Sequence, residues 1–268
     1  MLKKYASSNF RRIVVIIIAA VAVSLYLINA AGSDAAAFSF VSDDGRKLSP
    51  APEITCAPPP TGLVSWWPGD DDTNDQTGSN HGVIVNGATY VAGKVGRAFD
   101  FGGNTDYVQV AAPTGLPLSN APRTMMMWFK TPTTWGDTHQ VIMQYGGNAQ
   151  GSKFGLFTPN YYNRALSFWG ESADLAGATP LQNDTWYHGT VTYDGNVITL
   201  FLNGQLEASH SFGLNTQLNA GGFIIGRTGP DNITSEWNGS VDEAMMFDRV
   251  LTQTEIQAIY DAGSAGAC

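Results

Sequence analysis

The sequence predicts an all-β sandwich that ends in one short helix and is preceded by an apolar N-terminal segment. Three observations predict it. From Gly62 onward, short apolar or alternating runs recur with Gly, Asn, Asp and Pro between them, at the spacing of sandwich strands and turns. The 268 residues include 30 Gly, 7 Trp, 10 Tyr and 13 Phe but are only 14% charged, which is unlike a coiled coil and too apolar for disorder. A convincing helical period occurs once, near the C-terminus.

The elements follow in chain order. Lys3, Lys4, Arg11 and Arg12 precede residues 13–31, nineteen residues without a charge. Two readings fit this length and flank: a secretory signal cleaved among Ala30, Ala31 and Ala35 to Ala37, or a membrane-spanning helix with its basic end cytoplasmic. Both export the remainder, which is expected to be secreted or held at the cell surface, touching membrane only through this segment. Residues 32–60 have no sustained periodicity and read as a tether, leaving 61–268 as the folded body. Cys56 and Cys268, the chain's 2 cysteines, bracket that body. In an oxidising compartment they pair with each other; the alternative is two free thiols. From residue 51 onward there are 8 Lys and Arg against 20 Asp and Glu, a net charge of −12. A body this acidic repels phosphate backbones, so nucleic acid is excluded as a partner.

Within the body the candidate strands are LVSWW, GVIV, AFDF, DYVQV, RTMMMWFK, QVIMQY, KFGLF, ALSFW, WYHGTVTY, VITLFL, GFIIG and SVDEAMMF. In RTMMMWFK both alternating faces are apolar, as in a central strand covered on each side. Asp194-Gly195 and Asn203-Gly204 accept the positive φ of two-residue hairpin turns. For the helix, Thr252 is a good N-cap, Glu255 completes a capping box, Leu251 can staple Ile256, and Gly263 is placed to end it.

Four of these stretches, in this order, resemble a laminin G-like jelly-roll domain of the concanavalin A-like lectin and glucanase superfamily. They are GLVSWWPGDDDTNDQTGSNHGVIVNGATYVAGKVGRAFDFGGNTDYVQV, DTWYHGTVTYDGNVITLFLNGQLEAS, FIIGR and WNGSVDEAMMFDRVLTQTEIQAIYDAG, and together they span about residues 62–263. The resemblance implies a two-sheet antiparallel jelly roll, usually extracellular, that binds a glycan or a cell-surface or matrix protein and frequently holds a structural calcium ion.

Candidate calcium ligands follow from the resemblance. These domains place a hard cation where the early Asp/Gly-rich loop meets the last strand, positions matched here by Asp70, Asp75, Asn80 and Asp242. Calcium needs six to eight oxygens, which carboxylates beside a Gly-rich turn can offer. An EF-hand is excluded, because a loop beginning at Asp70 has Asp75 in place of the invariant Gly and His81 in place of the closing Glu. Glycan binding needs aromatic faces beside polar groups. The loop residues that qualify are Trp135, Asn148, Tyr161, Tyr162, Arg164, Trp169, Asp231 and Trp237, whereas Trp66, Trp67, Trp128 and Trp186 lie in strand patterns and are expected to be core. In the related pentraxins two loops capture ligand through calcium; Lys153 and Arg227 bring positive charge to the matching loops, which argues against that arrangement. No paired-acid array of a glucanase is present, and adjacent Asp242 and Glu243 are expected to point to opposite faces of a strand. The four histidines share no metal spacing, and His188 is expected to be packed. The sequence therefore favours a non-catalytic recognition module over a hydrolase or lyase with dispersed catalytic residues, or a structural spacer.

Overall fold

The computed structural model describes residues 55–103, 105–136, 139–159, 164–229 and 235–268. Among them fifteen strands, numbered along the chain, form two antiparallel sheets. The eight-stranded sheet runs β13 (Gln205–Ser211), β12 (Val197–Leu202), β11 (Trp186–Tyr193), β6 (Arg123–Lys130), β15 (Asn238–Phe247), β4 (Arg97–Gly102) and β3 (Thr89–Ala92), with β1 (Leu63–Trp67) also paired to β15. The seven-stranded sheet runs β10 (Leu175–Pro180), β9 (Ala165–Trp169), β8 (Lys153–Thr158), β7 (Gln140–Gly146), β14 (Phe223–Ile225), β5 (Tyr107–Val110) and β2 (Val83–Val85). This is the predicted all-β jelly roll. The apolar segment at residues 13–31 lies outside the described residues, among which no helix is long and apolar enough to cross a membrane.

Each predicted run becomes a strand because its inward side chains fill one core between the sheets. Trp67, Phe99, Phe101, Met125, Met127, Phe129, Tyr145, Phe154, Phe168, Phe223 and Trp237 all lie in it. Trp67 stacks on Phe223 at 4.7 Å between ring centroids and donates its indole N–H to the Asn80 carbonyl. A second, smaller core lies on the other side of the eight-stranded sheet, where Met126, Phe201, Met245 and Phe247 meet Leu251, Ile256 and Ile259. Thus β6 is covered on both faces, as its sequence requires. The last three of those residues belong to, or lead into, α1 (Gln253–Ala262), which carries the predicted Thr252–Glu255 capping box and ends at Gly263.

Two local outcomes refine the sequence reading. Asn203 and Gly204 form the two-residue turn with φ of 51° and 76°. Asp194-Gly195 does not, since the last paired residues are Tyr193 and Ile198 and four residues lie between them. There the Asp194 carboxylate accepts the Asn196 and Val197 N–H groups, closing a longer loop with a side chain. Buried Arg123 likewise replaces regular structure: its guanidinium donates to the Pro117, Ser119 and Ala121 carbonyls and to the Tyr145 hydroxyl. It thereby holds the segment before β6 as a formed loop.

Cys56 and Cys268 are joined. The Ala57 N–H donates to the Gly266 carbonyl and the Cys268 N–H to the Ala57 carbonyl, so residues just ahead of β1 pair with the C-terminal end. The disulfide closes a sequence separation of 212 residues. In the chain-entropy model a closure of that length contributes about 5 kcal/mol by restricting the unfolded chain. We therefore expect Cys268→Ser, or reduction of the native chain, to lower the melting temperature by well over 5 °C, about 2 to 4 °C per kcal/mol for a body of this size. A thermal scan with an unchanged midpoint would contradict this.

Candidate functional site

Strand β15 changes neighbours halfway along its length. Residues 238–241 pair with β4 and residues 244–247 with β1. On its other edge Asp242 stands opposite Trp128 and Met245 opposite Met126, so Glu243 and Ala244 together face the single residue Met127. This is a β-bulge, and Glu243 takes the φ of 52° that it requires. The extra residue rephases the strand: Val241 and Ala244 point into the main core, while Met245 joins the core beneath α1. Simple alternation places Asp242 and Glu243 on opposite faces; the bulge instead puts both on the outer face of the eight-stranded sheet.

There the two acids close the seam between β1 and β4. Asp242 Oδ2 accepts the Lys94 and Val95 N–H groups at 2.7 and 2.9 Å, holding the turn into β4, and Glu243 Oε2 accepts the Trp66 indole N–H of β1 at 3.0 Å. Both side chains are buried, and Asp242 Oδ1 has no hydrogen-bond partner among the described residues. Burial pushes the Asp242 carboxyl up to about 7, with Asp70 adding repulsion. Burial and the neighbouring Asp242 push Glu243 up to about 8.

The four expected calcium ligands separate into two pairs. Asp75 Oδ1 accepts the Trp66 N–H, the Thr77 N–H and the Thr77 hydroxyl, and Oδ2 accepts the Asn80 N–H. Burial alone would raise this carboxyl; the hydrogen bonds outweigh it and hold the group below its ordinary value. Asn80 in turn donates to the Ser65 hydroxyl and the Thr114 carbonyl and accepts the Thr114 N–H. Asp75 and Asn80 thus pin a turn, and their oxygens are already taken. Asp70 and Asp242 do fit a cation. The orphaned Asp242 Oδ1 faces no donor, Asp70 gives one oxygen to the Arg97 N–H, and Gly93 leaves a cradle in which a Cβ would lie 2.5 Å from Asp242 Oδ2. Among the described residues no group of three His, Cys, Asp or Glu gathers in a metal-binding arrangement, so the remaining ligands there would be backbone carbonyls and water.

The expected glycan-contacting residues also divide. Trp169 and Asn148 come together at one end of β9, on the outer face of the seven-stranded sheet. Lys153 places its ammonium 3.6 Å from the Trp169 ring centroid, 2.8 Å from Glu171 Oε2 and 3.2 Å from Asn148 Oδ1. Phe157 packs beside Trp169 at 5.9 Å, and His139 meets the edge of Phe157 at 5.8 Å. Arg164 and Trp135 form a second group, the guanidinium 5.5 Å from the ring centroid, at the opposite end of β9. Five strand residues separate the groups by ~16 Å. Trp237 is a correction: it is fully buried in the main core, edge-on to Phe129 and Trp135, and its ring offers no face to a ligand. Tyr161, Tyr162 and Asp231 lie outside the described residues. Lys153, Glu171 and Phe157 were not singled out for ligand binding from sequence, because a buried lysine over a strand tryptophan leaves no local motif. Trp128 is buried as expected, on the side of the eight-stranded sheet that α1 covers, where it stacks on Tyr260 and meets His188, which burial holds neutral by lowering it to about 3.

A two-sheet jelly roll with an aromatic platform on one outer face defines a lectin-like class of domain. Residues 101–257 match the family model of the concanavalin A-like lectin/glucanases superfamily, and the chain belongs to that superfamily. No curated protein sequence matches it. Among solved structures it is similar to domain 4 of AbnA, a GH43 extracellular arabinanase from Geobacillus stearothermophilus, in complex with arabinotriose. Identity is 19% and the TM-score 0.57, over 73% of this chain and 96% of that one. It is similar to the binding domain of Paraclostridial Mosquitocidal Protein 1, at 16% identity and a TM-score of 0.60, over 74% of this chain and 52% of that one. The third is Trypanosoma rangeli sialidase in complex with 2,3-difluorosialic acid, at 15% identity and a TM-score of 0.59, over 77% of this chain and 34% of that one. The chain thus spans about half of the second structure and a third of the third. At these identities the likeness is one of fold.

The acid pair makes a pH prediction. Because folding raises both carboxyls above their ordinary values, the native state holds protons that the unfolded chain releases. The stabilisation is present below about pH 4 and is lost as pH rises through about 7 to 8. In chelator-containing buffer, Glu243→Gln should therefore gain on the native chain as pH rises from about 5 to about 8.5, with the larger melting-temperature difference at the alkaline end. A difference that is flat or shrinks with pH would show that Glu243 is not held protonated.

Proposed function

We propose that the chain is an exported, non-catalytic glycan-binding module whose binding platform is centred on Trp169, displayed at the cell surface or released according to the fate of residues 13–31. The observation that carries this is the partly exposed Trp169 ring on the outer face of the seven-stranded sheet, with the Lys153 ammonium over the ring and Asn148 and Glu171 beside it. Sugar C–H faces stack on such a ring while hydroxyls bond to the amide and carboxylates around it. The fold supports the reading, as does domain 4 of the arabinanase, which is in complex with arabinotriose. The paired cysteines agree with export. A hydrolytic reading would need two carboxylates open to a sugar. Asp242 and Glu243 are sealed beneath the Lys94–Val95 turn and Trp66, and Glu171, the acid beside Trp169, is tied to the Lys153 ammonium.

Calcium enters this proposal as a structural ion held by Asp70 and Asp242. Its chemistry there is neutralisation of two carboxylates that otherwise repel each other across the β1–β4 seam.

Isothermal titration with soluble arabinan and other oligosaccharides tests the platform: Trp169→Ala should weaken binding at least about tenfold, a loss of about 1.4 kcal/mol. Retained affinity would move the site elsewhere, and sugar products released on incubation would make the protein an enzyme. For the ion, calcium at about a hundredfold excess over its Kd should raise the melting temperature by about 5 to 10 °C, and Asp242→Asn should abolish the rise. A native chain with the same midpoint in calcium and in chelator would remove the ion from the proposal.

A further inference from the structure

We infer that the Trp169 platform selects uncharged glycans, and that Glu171 sets this selection by cancelling the charge of Lys153; the inference rests on the glycan-binding reading above. All eight Lys and Arg from residue 51 onward lie among the described residues, so their partners can be followed one by one. Arg97 pairs with Asp71, Lys130 with Asp184, Lys153 with Glu171 and Arg249 with Glu255. Arg123 is spent on four carbonyls and the Tyr145 hydroxyl. Arg227 lies over the Tyr107 ring and donates to the Thr228 carbonyl. Lys94 and Arg164 lie over Trp128 and Trp135. Those two tryptophans belong to opposite regions of the sandwich, Trp128 under α1 on the eight-stranded sheet and Trp135 beside Arg164 at the far end of β9, so they form no joint anion site.

At the platform itself the balance is negative. The Lys153 side chain is 4% exposed and its ammonium is already shared among the Trp169 ring, Glu171 and Asn148. Asp174, exposed and accepting the Gly170 N–H at 3.0 Å, stands next to Trp169 in the turn after β9, and partial desolvation together with the repulsion from Glu171 raises its carboxyl. A uronate, sulfate or sialate group arriving here meets two carboxylates against one buried ammonium that it would first have to strip from Glu171. An uncharged sugar meets no such barrier, because its hydroxyls donate to Glu171, Asp174 and the Asn148 amide oxygen while its C–H groups pack on the part of Trp169 that Lys153 leaves uncovered.

The test is titration of the full chain, in detergent, with mannan and laminarin as uncharged probes and polygalacturonate and chondroitin sulfate as anionic ones, at about 50 and about 500 mM salt. The expected result is binding of an uncharged probe that changes less than about twofold with salt, with anionic probes at least about tenfold weaker. Glu171→Gln, which leaves Lys153 without its counter-charge, should bring polygalacturonate binding up at least about tenfold at low salt and lose that gain at high salt. Native affinity for an anionic probe equal to or above that for the uncharged ones overturns the inference while leaving glycan binding intact. A Glu171→Gln chain with the native melting temperature and no gain overturns the role of Glu171. No binding of either class overturns the glycan-binding reading itself.

Discussion

The rest of the structure depends on how one strand, β15, serves two neighbours on the same edge. A strand that keeps perfect alternation can pair with β4 or continue to β1, but the junction leaves backbone groups at the meeting point without ladder partners. The bulge at Glu243 and Ala244 absorbs the mismatch by inserting one residue opposite Met127. Asp242 and Glu243 then supply with side chains what the ladder cannot: acceptors for the Lys94 and Val95 amides on one side and for the Trp66 indole on the other. Two carboxylates in a dry seam cost free energy when ionised. They are tolerated because burial raises both carboxyls and so favours their protonated forms, and because removing them would leave the amides of the turn into β4 and the Trp66 indole without acceptors.

The same seam explains why the C-terminal end is bound so firmly to the start of the body. The bridge between Ala57 and Ala267 and the disulfide beside it lie next to β1, and Ala267 packs with Leu63 and Trp66 on the smaller core. The strand that would otherwise be easiest to peel away, β1, is held from both directions: along its edge by β15, and over its outer face by residues that the Cys56–Cys268 bond keeps in place.

How much of this was legible depended on which physical rule each residue obeyed. The strands found from sequence are those with an apolar pattern, most of them buried; the three that were missed, β3, β10 and β13, are all edge strands of the two sheets, and the edge strand β2 was found only because its exposed and half-buried residues happen to be Val and Ile. Edge strands need no apolar pattern, and these carry exposed polar residues such as Thr89, Thr179 and Gln205, with Pro180 at the end of β10. Glu207 shows what an edge asks for instead: its carboxylate accepts the Ala178 and Thr179 N–H groups of β10 from across the gap between the sheets. The capping box of α1 and the Asn203-Gly204 turn were legible because both are local. The faces of Asp242 and Glu243 were not, since a bulge is set by the partner strands and leaves no mark in the pair itself. Trp237 failed for a related reason: its loop position suggested exposure, while the register of β15 drew it into the core.

These elements divide the two outer faces of the sandwich between different tasks. The outer face of the eight-stranded sheet is occupied by α1, the C-terminal residues, the acid seam and the disulfide, so little of it remains to meet another molecule. Among the described residues no helix lies against the outer face of the seven-stranded sheet, and its surface near β8 and β9 is built of side chains with both an apolar body and a polar head: Trp169, Lys153, Glu171 and Asn148. Together Lys153 and Glu171 hold the Trp169 ring in one orientation with carboxylate and amide oxygens beside it, which is the feature of this face on which the proposed glycan binding rests.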